Sequence, residues 1–279
     1  MLRSLDWSRY LSSLVTRCKF DMLKRILKIA AGLLLIFIGT VFISSLSLWG
    51  HIEKTRVPPT ATMRSPLNVS GAYGATQKRA IKKSTLSAVR LIAFSPDVSH
   101  VSVSTGTYFK HFGQHYVLTV QHGLMAPSCE LIQIEVEGVV HECTNVVAYD
   151  VHTDYAILAV EKIANRVPLD FPRDFVRGSR AWQNSAAALT SMIYTGYPNT
   201  IGPVTLSGRV MGMSADELIY FNSYAWSGSS GSGVFNMKGK FVGYIVAIDV
   251  GQTEYGYDVL ENVILVVPNY KIDWTVLFK

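Results

Sequence analysis

Residues 225–235 read AWSGSSGSGVF, with three serines and three glycines in the six consecutive positions from Gly228 to Gly233. A flexible linker, a phosphate cradle and a turn that holds a nucleophile all use such residues, and the flanks separate them. ELIYFNS (217–223) precedes the stretch and VFNMKGKFVGYIVAI (234–248) follows it, and both are strand-like. A phosphate-binding loop runs from a strand into a helix, with Lys after the last glycine; here Val234 and Phe235 follow. A lipase-type elbow needs glycine two positions before and two after its serine. Ser230 has Gly228 before it, but Ser232 stands at the later position. Strands on both sides also argue against a linker. A tight β-turn without chemistry and a turn presenting a nucleophile remain.

Outward from this stretch the pattern is uniform. From about residue 86, runs rich in Val, Ile, Tyr and Thr recur: SAVRLIAF, HYVLTVQ, LIQIEV, NVVAY, YAILAV, SMIYTGY, TLSGRVMGM, LIYFNS, GVFNM, FVGYIVAI and NVILVV. Gly, Pro, Asn or Asp separates most of them, and helical periodicity is almost absent. That spacing indicates an all-β sandwich or pair of barrels, and the length of 86–279 suits two small antiparallel barrels. There is no internal repeat.

A serine hydroxyl is a poor nucleophile at neutral pH unless a base, usually His, takes its proton and a third group orients that base. Among seven histidines, His122 follows HYVLTVQ at a strand end, where its ring can face a cleft. Asp154 stands just ahead of the apolar run YAILAV. His115 and His152 are rivals for the base, Asp150 for the acid, and Ser229 and Ser232 for the nucleophile.

These segments resemble those of the chymotrypsin-fold serine proteases. GTYFKHFGQHYVLTVQHGL (106–124) is similar to the block that carries the base, DVHTDYAILAV (150–160) to the block that carries the orienting acid, and GSSGSGVFN (228–236) to the nucleophile block. The order His122, Asp154, Ser230 agrees, as do the separations of 32 and 76 positions. TGYPNTIGPVTLSGRVMGM (195–213) and VILVVPNYKI (263–272) resemble segments of the HtrA-type branch. The resemblance covers about 86–279 and implies two antiparallel six-stranded barrels and a polypeptide substrate. It implies His122 as base, Asp154 as orienting acid and Ser230 as nucleophile, with the backbone N–H groups of Gly228 and Ser230 as oxyanion hole. It also implies a substrate pocket near Tyr224, Ile245 and Asp249, with a medium apolar or aromatic residue expected before the scissile bond and a basic one left open by Asp249. Two departures stand out: Gln121 replaces the usual small residue before the base, and Ser232-Gly233 replaces Gly-Pro after the nucleophile. This looser form resembles membrane-linked proteases of positive-strand RNA virus polyproteins. No IVGG-like site opens the domain and no PDZ-like region follows it, so neither zymogen-type activation nor a complete HtrA-type protease is expected. A catalytically silent protease fold acting as a tethered binding module is the competing expectation.

Residues 29–49, IAAGLLLIFIGTVFISSLSLW, carry no charge and are long enough to span a bilayer. They are expected to form a retained, single-pass transmembrane helix rather than a cleaved signal. The preceding segment, 1–28, is basic, with an amphipathic pattern in Leu11, Leu14, Val15, Cys18 and Met22. Residues 50–85 read as a linker, with a glycosylation sequon at Asn68-Val69-Ser70, and 86–279 as the protease-like domain. The net charge of +6 is unevenly spread: residues 1–85 hold 14 of the 26 Lys and Arg but only 3 of the 20 Asp and Glu. The remainder is acidic and gives nucleic-acid binding no electrostatic support. Five basic residues over 11–28 (Arg17, Lys19, Lys24, Arg25, Lys28) outnumber three over 51–68 (Lys54, Arg56, Arg64), which favours a cytoplasmic N-terminus. The domain then faces a viral replication compartment, a periplasm or a lumen. Cys129 and Cys143 flank a hairpin turning near Glu137-Gly138, but their register is one step off, so two buried thiols are expected rather than a disulfide. No metal-ligand spacing occurs, and neither metal nor cofactor is expected.

Overall fold

The computed structural model describes residues 71–170, 180–198, 201–253 and 256–278. The basic segment 1–28, the apolar segment 29–49 and most of the expected linker, with its Asn68 sequon, lie outside them. Among the described residues no helix is long and apolar enough to cross a membrane.

Thirteen strands and two α-helices are formed by these residues. Strands β1 (Ala88–Phe94), β2 (Val101–His111), β3 (Gln114–Thr119), β4 (Ile132–Val136), β5 (Val139–Asp150) and β6 (Tyr155–Val160) run in the order β1-β4-β5-β6-β3-β2, and β1 pairs with β2 to close the ring. The short β7 (Leu169–Asp170) adds in parallel to β2, with Leu169 opposite Phe109. The second barrel contains β8 (Ser191–Gly196), β9 (Val204–Met213), β10 (Ile219–Asn222), β11 (Gly233–Asn236), β12 (Phe241–Thr253) and β13 (Gly256–Pro268), closed as β10-β13-β12-β11-β8-β9. Two antiparallel six-stranded barrels are therefore present, as expected. Every one of the eleven apolar runs falls on a strand. The two strands they omit are β7, only two residues long, and β2, whose first half, VSVST, alternates small hydroxyl residues with valine and lacks an apolar run.

Each barrel fills its own centre, and a third cluster joins the two. Val89, Leu91, Val117, Ile134 and Leu158 pack within the first. Met192, Tyr194, Val210, Phe221 and Ile264 pack within the second. Phe109, Leu118 and Ile157 from the first barrel meet Phe235, Phe241 and Tyr244 from the second. This burial of aromatic area is the main non-directional force holding the barrels together. One charge pair enters the first barrel: Arg90 on β1 faces Glu135 on β4 and is fully buried, with Nη1 3.0 Å from Oε2. The other carboxylate oxygen of Glu135 accepts the Gly138 N–H at 2.6 Å. Both charges thus have hydrogen-bonded partners, the condition under which a buried pair is tolerated. The β4–β5 turn has positive φ at Glu137 and Gly138, the geometry of a tight two-residue hairpin.

Two expectations need correction. The linker expected over 50–85 ends early, because Ala75–Ser87 form helix α1. Its buried positions are Ala80, Ser84, Thr85 and Ser87, small residues at near-helical spacing that carry no apolar periodicity to read. Ser84 Oγ donates to Thr195 Oγ1 on β8 at 2.9 Å, and Thr85 Oγ1 lies 3.2 Å from Thr205 Oγ1 on β9. The other helix, α2 (Arg180–Ser185), is short. The second correction concerns the cysteines. Cys129 and Cys143 are half-buried and joined as a disulfide, with Cα atoms 5.1 Å apart. The ladder pairs Gln133 with Glu142, leaving Ile132 beside Cys143. A 3-10 turn over Cys129–Leu131 supplies the step that the extended register lacks.

A disulfide across a loop of this length constrains the unfolded chain by about 2–3 kcal/mol. Replacing both Cys129 and Cys143 with Ser is therefore expected to lower the unfolding free energy by that amount, and the denaturant midpoint with it, while peptide hydrolysis persists. Equilibrium unfolding with and without reductant measures it, and an unchanged midpoint would show that the bond contributes nothing.

Candidate active site

The chain leaves β3 at Thr119, buries Val120 and turns at Gln121 and His122. Gln121, the residue that departs from the family pattern, is occupied: its Nε2 donates to Tyr149 Oη at 2.6 Å and its backbone N–H to the Asp154 carbonyl at 3.3 Å. His122 is then gripped twice by one carboxylate. Asp154 Oδ2 lies 2.6 Å from His122 Nδ1, and Oδ1 accepts the His122 backbone N–H at 2.8 Å. In the neutral imidazole, a carboxylate facing Nδ1 selects the tautomer with the proton there and the lone pair on Nε2. Asp154 reaches this position from the left-handed region, at φ +56°, where Asp is among the residues better able to sit.

Other groups hold the turn that carries Asp154. The neighbouring Asp150 accepts the Thr153 N–H at 2.6 Å and so braces the turn instead of facing the imidazole. Tyr244, from the second barrel, donates its hydroxyl to the Thr153 carbonyl at 2.8 Å. Burial, and secondarily the charge of Asp154, pushes the Tyr244 phenol well above its ordinary range, so this donor keeps its proton. His115 is engaged elsewhere, 2.6 Å from Tyr108 Oη.

The serine-glycine stretch forms the opposite wall. Ser229 and Ser230 both line the cavity, but Ser229, like Ser232, is buried, whereas Ser230 is half-buried. Ser229 Oγ accepts the Trp226 N–H at 3.2 Å, and Ser230 Oγ makes a long contact of 3.4 Å to the Val246 carbonyl. The hydroxyl of Ser230 is thus not bonded to His122, although both face one cavity. Backbone donors in the loop divide into two sets. The N–H groups of Ser229, Gly231 and Ser232 donate to Trp226, Ile245 and Ser229 carbonyls. Those of Gly228 and Ser230 donate to no acceptor among the described residues. Gly228 (φ +95°) and Gly231 (φ +86°) make the loop possible, since both lie where side chains are disfavoured.

The cavity has a volume of about 730 Å³ and is lined by His122, Asp154 and Ser230 together with apolar residues that include Trp226, Ile245 and Ile248. Of the three expected pocket residues only Ile245 lines it. Tyr224 is 57% exposed and stacks its ring on Trp226, and Asp249 lies beyond the lining residues on β12. His152, the rival for the base, also lines the cavity, and sequence reasoning missed Asp216, Trp226 and Lys271 there, because they arrive from loops and a 3-10 turn with no shared pattern. Among the described residues no cluster of His, Cys, Asp or Glu could hold a metal.

An imidazole fixed by a carboxylate thus stands opposite a serine flanked by open N–H donors, all at the cleft of two β-barrels. Residues 104–243, half of the chain, match the model of the trypsin-like peptidase domain, and the chain belongs to that family. It is a serine endopeptidase. Similar solved structures include a serine endoprotease from Yersinia pestis, at 17% identity and TM-score 0.55 over 74% of this chain and 68% of that one. The Rv3671c protease from M. tuberculosis in its active form is similar at 17% identity and TM-score 0.52, over 74% of this chain and 87% of that one. The HtrA-type protease AlgW with tripeptide follows at 16% identity and TM-score 0.51, over 69% and 60%. At such identities the likeness is one of fold. No curated protein matches the sequence.

A Cβ on Gly231 would lie 1.9 Å from the Thr105 carbonyl oxygen at a left-handed φ. Gly231→Ala is expected to destabilise the domain by more than about 3 kcal/mol, beyond the usual range for one substitution. Denaturant unfolding measures it, and a loss below about 1 kcal/mol would mean that the loop can move away from the first barrel at little cost.

Proposed function

We propose that the protein is a membrane-anchored endopeptidase whose catalytic groups are His122, Asp154 and Ser230. The double grip of Asp154 on His122, across a cavity from Ser230, carries this reading. Ser230 Oγ attacks the carbonyl carbon of the scissile peptide while His122 Nε2 accepts its proton. Closing this contact takes a rotation of the Ser230 side chain away from Val246. The carbonyl oxygen becomes an oxyanion and receives hydrogen bonds from the Gly228 and Ser230 N–H groups, an arrangement that stabilises the transition state by about 2.7–4 kcal/mol per donor. Asp154 stabilises the imidazolium without taking its proton. The tetrahedral species collapses as His122 returns the proton to the leaving amine. Water, deprotonated by His122, then hydrolyses the acyl ester and restores Ser230.

The apolar walls at Trp226, Ile245 and Ile248 favour a substrate with an apolar or aromatic side chain before the scissile bond. Asp249 is not in the lining, and Asp216, the acid there besides Asp154, is accompanied by Lys271, whose ammonium bonds its carbonyl, so a basic preference has little support. Residues 29–49 act as the anchor, 1–28 lies on the cytoplasmic side, and the domain faces the other. The Cys129–Cys143 disulfide supports an oxidising compartment such as a periplasm or lumen. That favours a cellular protease over one processing a viral polyprotein at a cytosol-facing replication membrane.

Ser230→Ala is expected to cut hydrolysis of labelled casein by on the order of 10⁶-fold. Asp154→Asn is expected to cut it by on the order of 10⁴-fold, because the amide favours the wrong imidazole tautomer. Both should leave the melting temperature within a few degrees of wild type. Near wild-type turnover by Ser230→Ala, or fluorophosphonate labelling at another residue, overturns the assignment and leaves a tethered binding module as the better reading. For specificity, a peptide library should show enrichment of apolar or aromatic residues before the cut, and strong Glu, Gln or basic enrichment would overturn the pocket reading.

A further inference from the structure

We infer that Thr105, in the first barrel, is a positioning residue that sets the oxyanion site in the second. This rests on the catalytic reading of Ser230 above. Thr105 lies on β2 with no exposed surface and makes four hydrogen bonds. Its backbone N–H donates to the Ser230 carbonyl at 2.8 Å, and its Oγ1 donates to the Gly228 carbonyl at 2.7 Å. Its Oγ1 also accepts the Tyr197 N–H at 2.9 Å, and its carbonyl accepts Thr119 Oγ1 at 2.9 Å. The two carbonyls it holds belong to the two residues whose N–H groups are undonated. One residue of the opposite barrel therefore fixes both donor-bearing residues from behind.

This matters because Gly228 cannot fix itself. Glycine populates positive and negative φ about equally, so a loop built on it can turn its N–H towards or away from the cavity. The Oγ1 bond ties the Gly228 carbonyl into the barrel seam and opposes that rotation. The hydroxyl is oriented for the task. The Tyr197 N–H occupies one of its lone pairs, which leaves its proton directed at Gly228. Thr107 continues the seam, with its Oγ1 donating to the Gly231 carbonyl at 3.2 Å. The side chain of Thr105 does not line the cavity and touches no reacting atom. Its effect reaches chemistry only through the loop, and it should appear in the rate of bond formation rather than in ground-state binding.

The test compares wild type, Thr105→Val and Thr105→Ser in the full chain, using a fluorophosphonate probe and labelled casein. Loss of the hydroxyl in Thr105→Val is expected to lower the maximal labelling rate of Ser230, and casein turnover, by about 10- to 100-fold, less than complete loss of an oxyanion donor. The concentration of probe giving half-maximal rate should change less than about threefold, and Thr105→Ser should restore the rate to within about threefold of wild type. A folded Thr105→Val that labels Ser230 at the wild-type rate overturns the inference while leaving the catalytic reading intact. Failure of Thr105→Ser to rescue a lowered rate also overturns it, in favour of a packing role. If Thr105→Val does not fold, Thr105→Ala removes the same hydroxyl with less bulk. Misfolding of both, beside a normal Thr105→Ser, assigns the residue to stability alone and overturns the inference. Labelling at a residue other than Ser230 in wild type instead ends the reading on which it rests.

Discussion

The backbone of Gly228–Gly233 lies directly against the threonines of β2, and the whole site depends on that proximity. It is a steric condition before it is a chemical one. A methyl group on Gly231 or Gly233 would collide with Thr105 or Thr107, and one on Gly196 would collide with the Ser232 hydroxyl. The glycines let two closed barrels, each with its own core, approach until hydrogen bonds form between them. Those bonds are backbone-directed and buried, so leaving any of them unmade would cost about 1–3 kcal/mol. The serine-glycine repeat is thus a fitted surface, not a flexible one, and its serines differ in burial: Ser229 and Ser232 are buried, whereas Ser230 is the more open of the two that line the cleft.

The opposite side of the cleft is built by the same device with the barrels exchanged. Tyr244 of the second barrel holds the Thr153 carbonyl of the first, as Thr105 of the first holds Gly228 of the second. Each barrel therefore stabilises the loop through which the other contributes to the cavity. A rigid site on mobile connections needs supports of this kind, because loops lack the ladders that keep strands in register. The apolar cluster of Phe109, Ile157, Phe235 and Tyr244 supplies the attraction, and the reciprocal hydrogen bonds supply the orientation.

Much of this was legible in the sequence, and what was not has a common cause. Runs such as YAILAV and FVGYIVAI announced strands because burial on both faces demands continuous apolar residues. The order and spacing of His122, Asp154 and Ser230 marked the cavity because those loops lie at strand ends. The features missed are held by hydroxyls and small side chains. VSVST of β2 and the Ala80, Ser84 and Ser87 face of α1 carry no apolar period, yet one forms the barrel seam and the other packs on the second barrel. Tyr224 and Asp249 fall outside the cavity lining because side-chain direction after a tight turn or a bulge cannot be counted along the chain, and β12 has a bulge between Ile248 and Asp249. The Cys129–Cys143 bond was hidden in the same way, behind a 3-10 turn that changes the count.

Helix α1 is joined to β8 and β9 by the hydroxyls of Ser84 and Thr85, with Ala80 its main buried apolar side chain. Such a contact has little hydrophobic area to lose, and water can replace its hydrogen bonds. Opening there costs less than opening either barrel. The stretch that leads from residue 71 into the domain is therefore where amide protons should exchange before those of either barrel.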